Sequence, residues 1–110
     1  MYGKKRGRRG RGCARGRPII PRNYAEPIFK HFIPVIPPEL INRSNPTPIY
    51  IYYDEFEAVR LVDLDRLTQD QAGEKMNISR GTIWRLLQSG REKLMLAIVE
   101  GRQIYFIERS

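Results

Sequence analysis

The side chains best suited to chemistry in this sequence lie between Arg80 and Gln88, and their types fit hydrogen bonding to nucleic-acid bases. Arg85 and Gln88 are three positions apart, so they share one side of a helix. In the major groove, arginine binds the guanine edge and glutamine binds the adenine edge. Gly81 would let the helix approach a phosphate or a base edge closely. The predicted base-reading residues are Arg80, Gly81, Thr82, Arg85 and Gln88.

A second set of residues is predicted to contact the phosphate backbone. Backbone amides at helix N-termini bind phosphate groups, and both Thr68 and Ser79 precede a predicted helix. The hydroxyl and cationic side chains around these two positions would add hydrogen bonds of their own. The predicted phosphate contacts are Thr68, Gln69, Ser79, Ser89 and Arg91.

The first element that must position these residues is a short helix from about Gln69 to Met76. Thr68 and Gln71 have the spacing of a capping box, in which each side chain bonds the other residue's amide. Leu67 and Ala72 are placed as a hydrophobic staple across the same turn. A helix that begins here places Ala72, Gly73 and Met76 on one close-packing face.

The second element is a longer helix that follows a tight turn. Asn77 enters the left-handed conformation at little cost, Ile78 would fill the corner, and Ser79 is a good N-cap. At 100° per residue the apolar stripe comprises Ile83, Leu86, Leu87, Gly90 and Leu94. Trp84 lies on the boundary of that stripe. A half-buried packing role is favoured for it over nucleic-acid contact, because large aromatic side chains mostly bury area.

The run from Asp54 to Arg102 resembles an uncharacterised family of small bacterial and archaeal proteins predicted to bind DNA. Their motif is similar to region 4 of sigma-70 factors, and the resemblance extends weakly upstream through the proline-rich segment. It implies a sequence-reading helix that begins near Ser79 and a role in transcription, and it leaves contact with RNA polymerase open. Gly73 and Gly90 depart from the pattern, in which alanine is common, and each glycine costs a helix interior about 0.5 to 1 kcal/mol.

The fold class that follows is mainly α, a three-helix helix-turn-helix core like region 4 of sigma-70 with short flanking strands over residues 49–110. The segments Tyr50–Tyr53 and Arg102–Glu108 are β-prone, and because a lone strand is unstable we expect them to pair within one chain or between two. Asp54 with Glu57 is expected to cap the intervening helix.

Nearly all of the positive charge lies at the N-terminus. The chain has a formal net charge of +8, of which residues 1–22 contribute nine bases and no acid. Residues 1–17 are therefore predicted to form a disordered basic arm that contacts phosphates or a minor groove, in preference to a merely solubilising tail. Its predicted DNA-contacting residues are Lys4, Lys5, Arg6, Arg8, Arg9, Arg11, Arg15 and Arg17.

The segment from Pro18 to Pro48 holds all eight prolines and is predicted to be an extended connector. Apolar residues between Ile28 and Ile36 indicate that part of it packs against the helices or a second subunit, which is favoured over its use as a proline-rich peptide ligand.

Several classes of protein are disfavoured by composition. Cys13 and His31 are the only cysteine and histidine, so we expect no metal site, no cofactor and no intrachain disulfide. Cys13 in a basic tail could react with oxidants, but an incidental thiol is favoured. No signal peptide or membrane-length apolar run is present, which favours a cytoplasmic protein. No nucleophile with a base, phosphate loop or ligand pocket is legible, which argues against an enzyme.

The favoured function is sequence-specific binding to double-stranded DNA, as in a transcriptional regulator. RNA binding or nucleoid-type binding with little sequence preference is the alternative, because an arginine-rich arm also suits RNA. The apolar residues Met95, Leu96, Ile98 and Val99 surround the far end of the second helix and need a cover. We therefore expect a homodimer in which termini and strands join and which presents two recognition helices to successive major grooves.

Overall fold

The structure is a computed structural model that describes residues 25–109, and these residues form a mainly helical fold with one small sheet. The strands are β1 (His31–Phe32), β2 (Ile49–Tyr52) and β3 (Ile104–Ile107). The helices are α1 (Tyr53–Val59), α2 (Gln69–Met76) and α3 (Arg80–Glu100). A 3-10 helix spans Pro38–Arg43, and a π-helical turn over Arg60–Leu64 continues α1.

The central strand of the sheet is β3, which is antiparallel to β1 and parallel to β2. The parallel pair is joined by all three α-helices, as a parallel connection requires a long crossover. The predicted pairing of the two β-prone segments is therefore confirmed, and it lies within one chain. The third strand, β1, comes from the segment predicted to be an extended connector. On the outer face, the Tyr105 ring stacks on His31 at 4.0 Å and on Tyr50 at 5.6 Å between centroids.

The start of α1 differs from the prediction. Tyr53 begins the helix rather than ending the strand, and the Tyr52 amide donates to Glu55 Oε1 at 2.9 Å. The predicted cap, Asp54 with Glu57, is wrong because both carboxylates are buried in bidentate ion pairs, with Arg109 and Arg60 respectively. Arg60 lies one turn further along the helix and Arg109 follows β3, so the spacing of the two acids did not reveal either partner.

The α2 helix and the turn that follows it match the sequence prediction closely. Thr68 Oγ1 accepts from the Gln71 amide at 3.1 Å, and Gln71 Oε1 accepts from the Thr68 amide at 2.9 Å. Asn77 ends α2 with φ 60°, and the Ser79 hydroxyl caps α3 by accepting an amide of its first turn at 3.2 Å. Local hydrogen bonds are sufficient to fix this turn, since every partner lies within five residues.

Two buried clusters hold the helices and the sheet together. The first joins α1 and its π-helical turn to α2 and α3 and comprises Ala58, Leu61, Ala72, Met76, Ile83, Leu86 and Leu87. The second joins the sheet to the start of α1 and to the end of α3 and comprises Ile49, Ile51, Tyr53, Ala97 and Phe106. The predicted apolar stripe of α3 is confirmed over its first half, and Leu94 is half-buried.

Two glycines mark the closest approaches between elements. A Cβ on Gly73 would lie 2.8 Å from the Ile78 carbonyl oxygen, and one on Gly90 would lie 2.8 Å from Val59 Cγ2 and 3.2 Å from the Glu55 carbonyl oxygen. The helix-propensity cost of these residues is therefore offset by tight packing, of α2 against the turn and of α3 against α1.

An apolar cavity of about 800 Å³ lies between the inner face of the sheet, α1 and the second half of α3. Phe32, Phe56, Leu94, Ile98 and Phe106 are among its lining residues. No pattern in the sequence predicts this cavity, because its walls come from elements far apart in the chain. Within residues 25–109, no helix is long and apolar enough to span a membrane.

Candidate nucleic-acid interface

The first half of α3 separates its side chains cleanly into a buried and an exposed side. Ile83 and Leu87 are fully buried against α1 and α2, whereas Arg80, Gly81, Arg85 and Gln88 are exposed, with Thr82 half-buried at their edge. The predicted base-reading residues are thus brought together along one exposed side of one helix. Within the described part of the chain, the side chains of Arg85 and Gln88 have no hydrogen bond or ion pair.

Gly81 faces open space, in contrast to the two packed glycines. A Cβ at this position would meet only the Ser79 hydroxyl, at 4.0 Å. The fold therefore does not require glycine here, and helix propensity disfavours it. Its effect is to remove a side chain from the middle of the exposed side, which leaves the helix backbone approachable.

Arg80 lies near Asp70 of α2, but the pairing is loose. Arg80 Nη1 and Asp70 Oδ2 are 3.8 Å apart, and their side chains are 67% and 71% exposed. An exposed pair of this kind contributes little to stability. The guanidinium can therefore leave Asp70 for another anion at small cost.

The predicted phosphate-contacting residues Thr68 and Ser79 use their side chains as helix caps. Ser79 Oγ is also 3.0 Å from Thr82 Oγ1, so this hydroxyl pair is fixed on the first turn of α3. What remains available at both helix starts is the backbone, since the first amides of a helix have no acceptor within it. Gln69, half-buried, begins α2 at one of these two places.

Ser89 and Arg91, also predicted to contact phosphates, are engaged elsewhere in the structure. The Ser89 hydroxyl donates a hydrogen bond to Glu55 Oε2, and Arg91 forms a bidentate pair with Asp63 at 2.7 and 2.9 Å. Hydrogen bonds from Arg91 hold the pKa of Asp63 below its usual value. The structure thus assigns both side chains to the contact between α3 and α1 with its π-helical turn.

A buried carboxylate at the centre of that contact was missed by sequence reasoning. Glu55 is 3% exposed, and its Oε1 accepts both from Lys93 Nζ at 2.8 Å and from the Tyr52 amide. The Tyr52 ring in turn packs under Arg109, whose guanidinium carbon lies 4.0 Å from the ring centroid. The one local signal was the three-residue spacing of Tyr52 and Glu55, but tyrosine is not a typical cap residue.

Trp84 does not take the packing role that was favoured from the sequence. Its side chain is 53% exposed, and within residues 25–109 it belongs to neither hydrophobic cluster. It lies on the same exposed side as Arg80 and Gln88, one turn from each. The helical boundary position was read correctly, but the neighbouring elements do not extend over it.

Two further expectations concern ligands and the N-terminal arm. Among residues 25–109, no three His, Cys, Asp or Glu side chains are grouped as a metal site would require. The basic arm, with Cys13 and its eight predicted DNA-contacting residues from Lys4 to Arg17, lies outside the described residues.

A family model described as "Protein of unknown function DUF134" matches residues 6–108. The chain belongs to this family. It is 46% identical over 84 residues to a UPF0251 protein of Pyrococcus abyssi, covering 76% of this chain and 74% of the relative. It is 47% identical over 81 residues to a UPF0251 protein of Thermococcus kodakarensis, covering 74% and 69%.

More distant relatives of the DUF134 family keep most of the same extent. A UPF0251 protein of Methanococcus maripaludis is 36% identical over 91 residues, which covers 82% of this chain and 67% of the relative. No solved structure matches the chain. The predicted membership of an uncharacterised family is thereby confirmed, and the match extends from the run Asp54–Arg102 through the proline-rich segment.

Proposed function

We propose that this protein binds double-stranded DNA sequence-specifically and regulates transcription, with α2, the turn and α3 acting as a helix-turn-helix. The observation that carries the proposal is the exposed side of α3, where Arg85 and Gln88 have no partner within the described residues and Gly81 faces open space. Side chains of these types recognise guanine and adenine edges in the major groove.

The position of these residues along α3 supports the same function. In a helix-turn-helix the second helix enters the major groove with its N-terminal residues against the bases, while the first helix crosses the backbone. Arg80, Gly81 and Arg85 all lie in the first two turns of α3. The unpaired amides at the start of α2 would then meet a phosphate, because α2 packs across α3 through Ala72 and Met76.

The experiment is selection of bound fragments from genomic DNA, followed by binding of the selected duplex and of random duplex to Arg85→Ala. Loss of a base contact is expected to cost about 1 to 3 kcal/mol on the selected duplex and little on random DNA. Arg43→Ala is the matched control, because it removes the same charge from an exposed site in the 3-10 helix. An equal loss on every sequence would argue against base readout by Arg85.

The basic arm is proposed to add affinity without specificity. Residues 25–109 hold eleven basic and twelve acidic side chains, so the body alone has little attraction for a polyanion. Removal of residues 1–17 is expected to weaken binding to all duplexes alike and to flatten its dependence on salt. Tighter binding of the whole chain to RNA than to any duplex would favour the alternative function, RNA binding.

We also propose that the protein acts as a homodimer, with a second copy covering the far half of α3. Met95, Ile98 and Val99 are 57%, 71% and 74% exposed there, and Ile98 also borders the apolar cavity. An apolar ridge beside an apolar cavity on one chain suits a two-fold contact in which each copy inserts its ridge into the other's cavity. The small net charge of the body opposes such self-association little.

Light scattering at micromolar concentration tests this partner. The whole chain is expected to be a dimer, Val99→Glu a monomer and Val35→Glu still a dimer. Val35 is the matched control because it is 97% exposed and lies in the connector. A monomeric parent chain, or a dimer that survives Val99→Glu, would contradict the proposed surface.

A further inference from the structure

Trp84 is a large apolar side chain on a surface where the fold gives it no partner cluster. It is 53% exposed and follows Ile83, a fully buried residue of the same helix. The other exposed apolar residues of α3, from Met95 to Val99, lie about three turns further along, beside the cavity. Trp84 therefore belongs to a different surface from the apolar far half of α3.

The neighbours of Trp84 are the candidate base-reading residues. Arg80 and Gln88 lie one turn before and one turn after it on the same row of the helix, and Gly81 lies three positions before it. Long side chains on a helix lean toward its N-terminus, so the indole covers the turn that contains Arg80 and Gly81. That turn is the one that enters the groove in the proposed function.

We propose that Trp84 is a specificity-determining residue that packs against thymine in the major groove, an inference that rests on the proposed DNA binding. Each base edge in the major groove presents hydrogen-bonding groups, and the thymine methyl is the one apolar group among them. The indole is apolar except for one N–H donor, so thymine is the base it recognises by contact. The missing side chain at Gly81 leaves room for the ring beside the helix backbone.

Trp84 is the only tryptophan in the chain, so tryptophan fluorescence reports on the surroundings of this one side chain. Titration of the whole chain with the selected duplex is expected to change the emission. Trp84→Ala is expected to raise Kd for the selected duplex about tenfold and to change binding to random duplex little. The thermal unfolding of each variant is measured alongside, and Trp84→Phe, which keeps an aromatic ring, is the second variant and is expected to lose less.

Replacement of single thymines by deoxyuridine identifies the methyl group directly. Removal of the contacted methyl is expected to raise the Kd of the parent chain for the duplex about fourfold, equivalent to about 0.8 kcal/mol. The same replacement should leave Trp84→Ala unaffected, because the partner of the methyl is already gone.

The outcomes separate the two proposals. Unchanged emission at saturation, parental affinity of Trp84→Ala, or an equal effect of deoxyuridine on both proteins would overturn the role of Trp84 while DNA binding stands. Failure of the parent chain to prefer any duplex would overturn the proposed function itself, and with it this inference.

Discussion

The two halves of α3 expose similar kinds of side chain but use them differently. In the first half, Arg85 and Gln88 have no partner in the described part of the chain. In the second half, Arg91 binds Asp63, and Lys93 binds the buried Glu55. The same helix therefore serves as a free surface at one end and as a structural contact at the other. The difference lies on the outer side of the helix, where carboxylates of α1 and its π-helical turn bind Ser89, Arg91 and Lys93 but do not reach Arg85 or Gln88.

Amphipathic spacing alone therefore does not identify a binding surface. Arg85 and Arg91 are both exposed arginines of one helix, and sequence reasoning assigned both to DNA. Only the structure shows that a carboxylate lies against one of them.

Glu55→Ala should destabilise the fold most, by about 3 kcal/mol, because it removes one partner of a buried ion pair. The Tyr52 amide and the Ser89 hydroxyl would lose their acceptors as well. Urea unfolding measures the loss as a lower midpoint at unchanged slope. Glu92→Ala is the control, since Glu92 is an exposed acid of α3, and it should change the midpoint little. A midpoint shift no larger than that of the control would show that the Glu55 network is not structural.

Substitution of alanine for the glycines of the two halves should have opposite effects on stability. Gly90→Ala is expected to cost about 1 kcal/mol, because its Cβ would meet Val59 and the Glu55 carbonyl. Gly81→Ala is expected to stabilise by up to about 0.5 kcal/mol, because its Cβ meets open space and alanine favours the helix.

DNA binding by the same two variants should not follow their stability. Gly81→Ala should weaken binding to the selected duplex despite its higher unfolding midpoint, whereas Gly90→Ala should bind as the parent at temperatures where it is folded. If Gly81→Ala raises stability and leaves DNA binding intact, the open side of α3 is not approached by a ligand at that point.

These contrasts also show which parts of the molecule could be predicted from the sequence. The α2 cap, the turn at Asn77 and the Ser79 cap were predicted correctly, because their hydrogen bonds span five residues or fewer. The buried stripe of α3 was predicted because helical periodicity and core position coincide there.

The features that were missed depend on partners distant in the chain. His31 of β1 pairs with Tyr105, and Ser89 binds Glu55 from 34 residues away. The helical angle of Ser89 places it on the outer side of α3. That angle does not reveal that the Glu55 carboxylate lies within hydrogen-bonding distance of it. Trp84 is the opposite case. The sequence favoured packing for it, but it belongs to neither hydrophobic cluster of residues 25–109. Contacts with residues distant in the chain therefore account for Ser89 and Arg91, the predicted phosphate contacts whose side chains bind carboxylates instead.

The smallest effect on stability should come from the exposed ion pair of Arg91 in α3 with Asp63. Hydrogen bonds from Arg91 lower the pKa of Asp63 in the folded chain relative to about 3.9 when unfolded. The pair's contribution is therefore fully present above that unfolded value and is lost as the pH falls through the lowered folded pKa. Because both side chains are exposed, the contribution is small. Asp63→Asn should slightly lower the unfolding midpoint at pH 7 and converge with the parent as the pH falls through the lowered folded pKa of Asp63. A difference between the two proteins that grows on acidification would contradict the assignment of Arg91 to Asp63.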